Sequence, residues 1–182
     1  MEDARVVRQI FLGKLTGYVG SGDESNFKTR FIELLLQEDA FQRIHLPGHI
    51  TGSAFIVSED YTQTLLVHHA KLNKWLQPGG HADGDVDVAR VAMREANEET
   101  GLQNLVLTSH EIFDLDIHII PTRKDFPQHE HYDVRYLLKA SPSEKIIVSE
   151  ESHDVKWIKL SELEKYNNES SILRMRDKLL VK

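Results

Sequence analysis

Hydrophobic residues near the N-terminus fall at helical spacing. Val6, Val7, Ile10, Phe11 and Leu15 predict a first helix, and Gly17, Gly20 and Gly22 break the pattern. Phe27, Phe31, Leu34 and Leu35 stand at i, i+4, i+7 and i+8 and predict a second helix, with Asp23 or Ser25 as its cap. Pro47-Gly48 ends this stretch. Residues 1–46 are therefore expected to form an N-terminal helical segment, a hairpin serving core packing, a homodimer contact or a lid. Residues 47–182 are expected to form the main domain.

From His49 the period changes. Ile50–Ser58 and Gln63–His69 are rich in β-branched and apolar residues and are joined by Glu59-Asp60-Tyr61-Thr62, which predicts a hairpin. Trp75-Leu76-Gln77 leads into Pro78-Gly79-Gly80, a loop signal. A helix is expected from about Val86 to Thr100, stopped by Gly101. Strands are expected at Leu105–Ile112, Leu115–Ile119, Tyr132–Lys139 and Val155–Ile158. A helical turn at Ser161–Lys165 and a closing helix at Ser171–Val181 complete the chain. This mix predicts an α/β fold with antiparallel hairpins in place of regular βαβ units.

Composition narrows the chemistry. The 182 residues include ten His and no Cys, with a formal net charge of −7. Without cysteine there can be no disulfide, thiolate nucleophile, zinc finger or iron–sulfur cluster, so any bound metal takes oxygen or imidazole ligands. The acidic balance argues against a nucleic-acid surface, and no apolar run is long enough for a membrane span. The start, Met1-Glu2-Asp3-Ala4-Arg5, lacks the apolar core of a signal peptide, which makes the cytoplasm the expectation.

Negative charge is concentrated in one place. Between Gly79 and Gly101, Asp83, Asp85, Asp87, Glu95, Glu98 and Glu99 are opposed only by Arg90 and Arg94. On a helix, Ala89, Met93, Ala96 and Thr100 make an apolar stripe, while Glu95, Glu98 and Glu99 share another side. Carboxylates at these spacings repel by a few tenths of a kcal/mol per pair when exposed. A hard divalent cation reverses that sign, because Mg²⁺ or Mn²⁺ seeks carboxylate oxygens and leaves positions open for water and phosphate.

This segment resembles the Nudix box, which runs Gly, five residues, Glu, seven residues, then Arg-Glu-apolar-X-Glu-Glu-X-Gly-apolar. Arg94-Glu95-Ala96-Asn97-Glu98-Glu99-Thr100-Gly101-Leu102 matches its second half, and Gly80 matches its first glycine. Trp75–Gly79 and Trp157–Leu163 are also similar to the family. One position departs: the first box Glu falls on Val86, between Asp85 and Asp87. The resemblance implies an α/β/α sandwich with a mixed sheet, here preceded by the N-terminal helices. It implies a pyrophosphohydrolase that uses Mg²⁺ or Mn²⁺ to cleave a diphosphate bond in a nucleoside diphosphate linked to X, or in a similar small phosphorylated compound. By position, Gly79, Glu95, Glu98 and Glu99 would hold metal. Glu95, Arg94 and Glu98 would be catalytic, with Arg94 orienting Glu95 as general base.

Strand alternation puts Asp114, Asp116 and His118 on one face, and His129, His131, Asp133 and Arg135 on one face of a neighbouring strand. His81, His131, Asp133 and Arg135 are the candidate substrate-binding residues. Lys71, Lys74, Arg123 and Lys124 are further candidates for phosphate. Subgroup marks for particular substrates are absent, so X stays unnamed; the combination of histidines resembles a bacterial Nudix group of undefined substrate. Two other functions compete. Val86 suits a non-catalytic module that senses a nucleotide. The Gly-Gly-His turn suits an isopentenyl diphosphate isomerase, which the lack of cysteine disfavours.

Overall fold

The computed structural model describes residues 3–123 and 126–180; Lys124 and Val181 lie outside the described residues. Two helices, α1 (Ala4–Gly17) and α2 (Asp23–Leu34), precede a sheet made of β1 (Gly48–Ser58), β2 (Gln63–His69), β3 (Lys74–Leu76), β4 (Gly79–His81), β5 (Val106–Leu107), β6 (Asp114–Ile120), β7 (His129–Ala140) and β8 (Ser152–Lys159). Helix α3 (Val88–Thr100) follows β4, and a 3₁₀ turn (Leu160–Lys165) leads to α4 (Ser170–Leu180).

The sheet is mixed. β1 and β7 run parallel from Gly48↔Glu130 to Ser58↔Ala140. The other pairings, β1 with β2 and β4, β7 with β5 and β6, and β2 with β3 and β8, are antiparallel. One face of the sheet carries Ile50, Ala54, Ile56, Val134, Tyr136 and Leu138. It packs against Val88, Val91, Ala92 and Ala96 of α3 and against Phe11, Leu15 and Phe31 of the N-terminal helices. The opposite face carries Phe55, Val57, Leu66 and Leu137, covered by Leu163, Ile172 and Met175. The layers are therefore α/β/α, as the resemblance implied.

The N-terminal helices share the main core. They cap each other: Arg8 of α1 donates to the Leu35 carbonyl at 2.7 Å, past the end of α2. Lys28 of α2 donates to the Thr16 and Tyr18 carbonyls at 2.6 and 2.9 Å, at the end of α1. Each cation meets the negative end of the partner helix. Only part of the expected apolar face of α1 is used, because Val6 and Ile10 are exposed while Phe11 and Leu15 are buried.

Several expectations need correction. Neither Asp23 nor Ser25 caps α2; the cap is Gly22, at φ +56°, with no side-chain bond. Glu24, within the first turn, instead accepts the amide of Ser21 ahead of the helix at 3.2 Å. Helix α3 starts two residues later than expected, because the Asp87 carboxylate accepts the Arg90 amide and makes Asp87 the cap. Of its expected apolar stripe Ala96 and Thr100 are fully buried, beside Val88, Val91 and Ala92, while Ala89 and Met93 only flank the core. The strand expected over Leu105–Ile112 shrinks to Val106–Leu107. Thr108 spends both its amide and its hydroxyl on the Leu137 carbonyl, at 3.0 and 2.9 Å, and the chain leaves the sheet there.

Candidate active site

Helix α3 stops at Gly101, whose left-handed φ of +74° lets its amide reach the Asn97 carbonyl at 2.8 Å. That stop fixes the last turns of the helix against β4. Glu99 is buried, and its carboxylate accepts the Gly79 amide at 2.8 Å. Burial pushes the Glu99 carboxyl up to about 7, against the Gly79 bond, with the charge of Glu95 adding to the rise. Glu95 is half-buried and also raised, chiefly by burial, with Arg94 opposing. Glu98 is the exposed member of the three.

Arg94 organises this surface. Its guanidinium lies 2.8 Å from Glu95 and 3.4 Å from Glu98, and it donates to the His81 carbonyl at 3.0 Å. One side chain thus ties the box helix to the end of β4. The glycines of β4 lie close against neighbouring side chains. A β-carbon on Gly79 would overlap the Ser53 side chain, and one on Gly80 would sit 2.5 Å from the Glu95 carboxyl carbon. Two desolvated carboxylates and one exposed carboxylate, sharing the single cation Arg94, form an oxygen donor set suited to a hard divalent ion.

Val86, at the first box Glu position, packs against the core. Its neighbours do not replace the missing carboxylate. Asp85 is held by Arg90 at 2.6 and 2.8 Å, and Asp87 caps α3. The site therefore rests on the three carboxylates of the second half-box.

The polar residues of β6 and β7 do share a face. Antiparallel register sets Asp114 opposite Arg135, Asp116 opposite Asp133 and His118 opposite His131. Asp133 and Arg135, however, are buried and already bonded. Asp133 accepts from Thr51 at 3.1 Å, Ser53 at 2.6 Å and Arg135 at 2.8 Å. Arg135 also reaches Asp114 and Asp116, each at 3.1 Å. Helix α4 closes the network with Arg174, 2.8 Å from Asp114, and Lys178, 2.6 Å from it. Burial works against the charge of Asp116, but the His118 bond and the Arg135 and Arg174 guanidiniums outweigh it and hold its carboxyl at about 2. The polar atoms of Asp133 and Arg135, expected to bind substrate, are thus engaged inside the protein.

His81 and His131 stand closer to open space, with ring centroids 4.9 Å apart. Burial, with Arg43 and His49 nearby, pushes His81 down to about 4. Burial and the surrounding rings push His131 down to about 2. Both are neutral at pH 7. Of the basic candidates, Lys74 is paired with Glu169 at 2.6 Å. Sequence reasoning missed His49, Thr51 and Ser53, which meet the same polar face. Their signal was period-two polarity within Gly48–Ser58, hidden by the apolar residues between them.

The NUDIX domain model matches residues 48–178, most of the chain. The chain belongs to the Nudix family. The enzyme class expected from the half-box, a Nudix pyrophosphohydrolase, stands with that membership. Among solved structures, a NUDIX-family hydrolase from Clostridium perfringens is 28% identical, with TM-score 0.55, covering 74% of this chain and 98% of that one. A C. elegans Ap4A hydrolase in a binary complex is 18% identical, with TM-score 0.58, covering 72% and 95%. The E. coli dihydroneopterin triphosphate pyrophosphohydrolase is 13% identical, with TM-score 0.56, covering 72% and 94%. These last two are likenesses of fold. Comparison with curated proteins finds no match. Among the described residues, no helix is long and apolar enough to cross a membrane.

Proposed function

We propose that this Nudix protein hydrolyses a diphosphate bond in a nucleoside diphosphate linked to X, or in a similar small phosphorylated compound, with Mg²⁺ or Mn²⁺. The observation that carries this reading is the trio Glu95, Glu98 and Glu99 on one helix end, with Arg94 bonded to Glu95 and the Gly79-Gly80 strand seated on Glu99 and Glu95. The neighbours named for Ap4A and for dihydroneopterin triphosphate, both phosphorylated small molecules, agree with it.

Glu98, Glu99 and the Gly79 carbonyl would hold the ion, with Glu95 as a further ligand or as the base. Such an ion supplies charge neutralisation for the diphosphate oxygens and acidifies bound water. Glu95 takes the proton of the attacking water on its carboxylate. Its partial burial raises its basicity, which suits a base working near neutral pH. Arg94 keeps Glu95 aimed and is a positioning residue. His81, neutral and beside the Gly-Gly strand, offers a ring N–H or lone pair to substrate.

The test is a phosphatase-coupled phosphate-release screen over nucleoside and non-nucleoside diphosphates with each metal. Turnover is expected in the native protein, with a loss of about 10²–10⁴-fold in Glu95→Gln and no metal-dependent turnover in Glu98→Gln/Glu99→Gln. Undiminished turnover in the double variant overturns the assignment. Val86 favours one second reading, a nucleotide sensor without catalysis. Calorimetric binding with no turnover in either metal would support it.

A further inference from the structure

Histidine rings converge where β1, β4, β6 and β7 lie side by side. Parallel register puts His49 beside His131, and His129 follows two residues before it on the same face. The ring centroids are 5.0 Å apart for His49–His129, 5.1 Å for His49–His131 and 5.1 Å for His129–His131. One nitrogen of each ring lies within 4.8 Å of the other two.

Two of the tautomers follow from hydrogen bonding. His49 Nδ1 faces the His45 carbonyl at 3.3 Å, and His129 Nδ1 faces the Pro127 carbonyl at 2.9 Å. A carbonyl only accepts, so each Nδ1 carries the proton and each Nε2 keeps a lone pair; that of His129 accepts the Nε2–H of His131, a proton that a metal ion would replace. Imidazole ligands of metals are commonly oriented in this way, with the outer nitrogen donating to a carbonyl. His49 is completely buried, yet its Nε2 has no hydrogen-bond partner. His129 Nε2 stands 3.3 Å from His131 Nε2. Two nitrogens about 2.0–2.1 Å from one tetrahedral zinc would be separated by about 3.3–3.4 Å.

We propose that His49, His129 and His131 form a binding site for a divalent transition metal of the zinc class, Zn²⁺ or Co²⁺. Among the described residues, no carboxylate hydrogen-bonds to these three rings, so the donor set is imidazole alone. It suits a borderline ion and excludes Mg²⁺, which requires oxygen. His81, with its ring 5.2 Å from that of His49 and 4.9 Å from that of His131, borders the remaining side. The site shares no residue with Glu95, Glu98 and Glu99, and it assigns His131 to metal in place of substrate.

The test titrates Co²⁺ and Zn²⁺ into the full chain carrying Glu98→Gln/Glu99→Gln, followed by calorimetry and by visible absorption of cobalt. The expected result is one equivalent bound, with the intense bands of four-coordinate cobalt. Affinity should fall at least tenfold in His129→Asn and in His131→Asn, with circular dichroism unchanged. Equal affinity in the histidine variants, or only the weak bands of six-coordinate cobalt, overturns the proposal. If a histidine variant does not fold, the cobalt spectrum of the chain with all its histidines decides by itself. Failure of the carboxylate reading would appear separately, as Mg²⁺-dependent turnover surviving in the double glutamate variant.

Discussion

The carboxylate of Glu95 occupies the space in which a side chain on Gly80 would begin. An added β-carbon would lie 2.5 Å from its Cδ and 2.6 and 2.7 Å from its oxygens. The residue that obstructs it is the end of a half-buried side chain, which can swing aside. Gly80→Ala should therefore cost little stability but displace the base. A misplacement near 1 Å costs about 10²-fold in rate. Steady-state kinetics beside a thermal melt check this, and an unchanged kcat would show that Glu95 is not the base.

Arg94 makes three contacts that a lysine cannot reproduce together: Glu95, Glu98 and the His81 carbonyl. Arg94→Lys should lower kcat about tenfold or more while leaving KM nearly unchanged, since a positioning role is felt in the reaction step. The guanidinium also lowers the proton affinity of Glu95. In Arg94→Ala the basic form of Glu95 should appear at higher pH. The acidic limb of the pH–rate profile then moves upward; a stationary limb would count against the Arg94–Glu95 coupling.

Arg135 is the buried hub of Asp114, Asp116 and Asp133. Removing it leaves those carboxylates crowded without their shared cation. Arg135→Met should destabilise the fold by roughly 3–5 kcal/mol, the range for breaking a buried ion pair from one side. Chemical denaturation measures this, and an unaltered midpoint would mean that Arg174 and Lys178 suffice.

Asp116 gives the fold an acid-sensitive window. Its carboxyl is held at about 2 in the folded chain, below an unfolded value of about 3.9. A depressed acid stabilises the fold at pH values above its unfolded value, and that stability is lost as pH falls through the folded one. Roughly 2 kcal/mol should therefore disappear between about pH 4 and pH 2. Asp116→Asn should flatten that part of the stability–pH curve. A curve with the same slope would place the acid sensitivity elsewhere.

Local chemistry made much of this protein legible before folding was considered. Arg94–Leu102 is a continuous helical stretch, so residue spacing alone put Glu95, Glu98 and Glu99 near one another, and Gly101 stopped the helix where expected. Period-two alternation likewise grouped Asp114, Asp116 and His118, and separately His129, His131, Asp133 and Arg135. Alternation assigns a face to each strand but does not say which strand lies beside it, or what covers the pair.

Those were tertiary decisions. The parallel register of β1 with β7 brought His49 to His131 across 82 residues of chain and set Thr51 and Ser53 on Asp133. Helix α4 then covered Asp114 and Asp116 with Arg174 and Lys178. This turned residues expected to meet substrate into an internal ion network. Burial also made the three box glutamates unequal, with Glu99 inside, Glu95 half-inside and Glu98 in water. The sequence by itself determined the spacing of the three box carboxylates, because Glu95, Glu98 and Glu99 lie within about one turn of one helix. Only the tertiary structure decided which other polar groups remain free, because hydrogen-bond satisfaction and desolvation depend on partners distant in the chain.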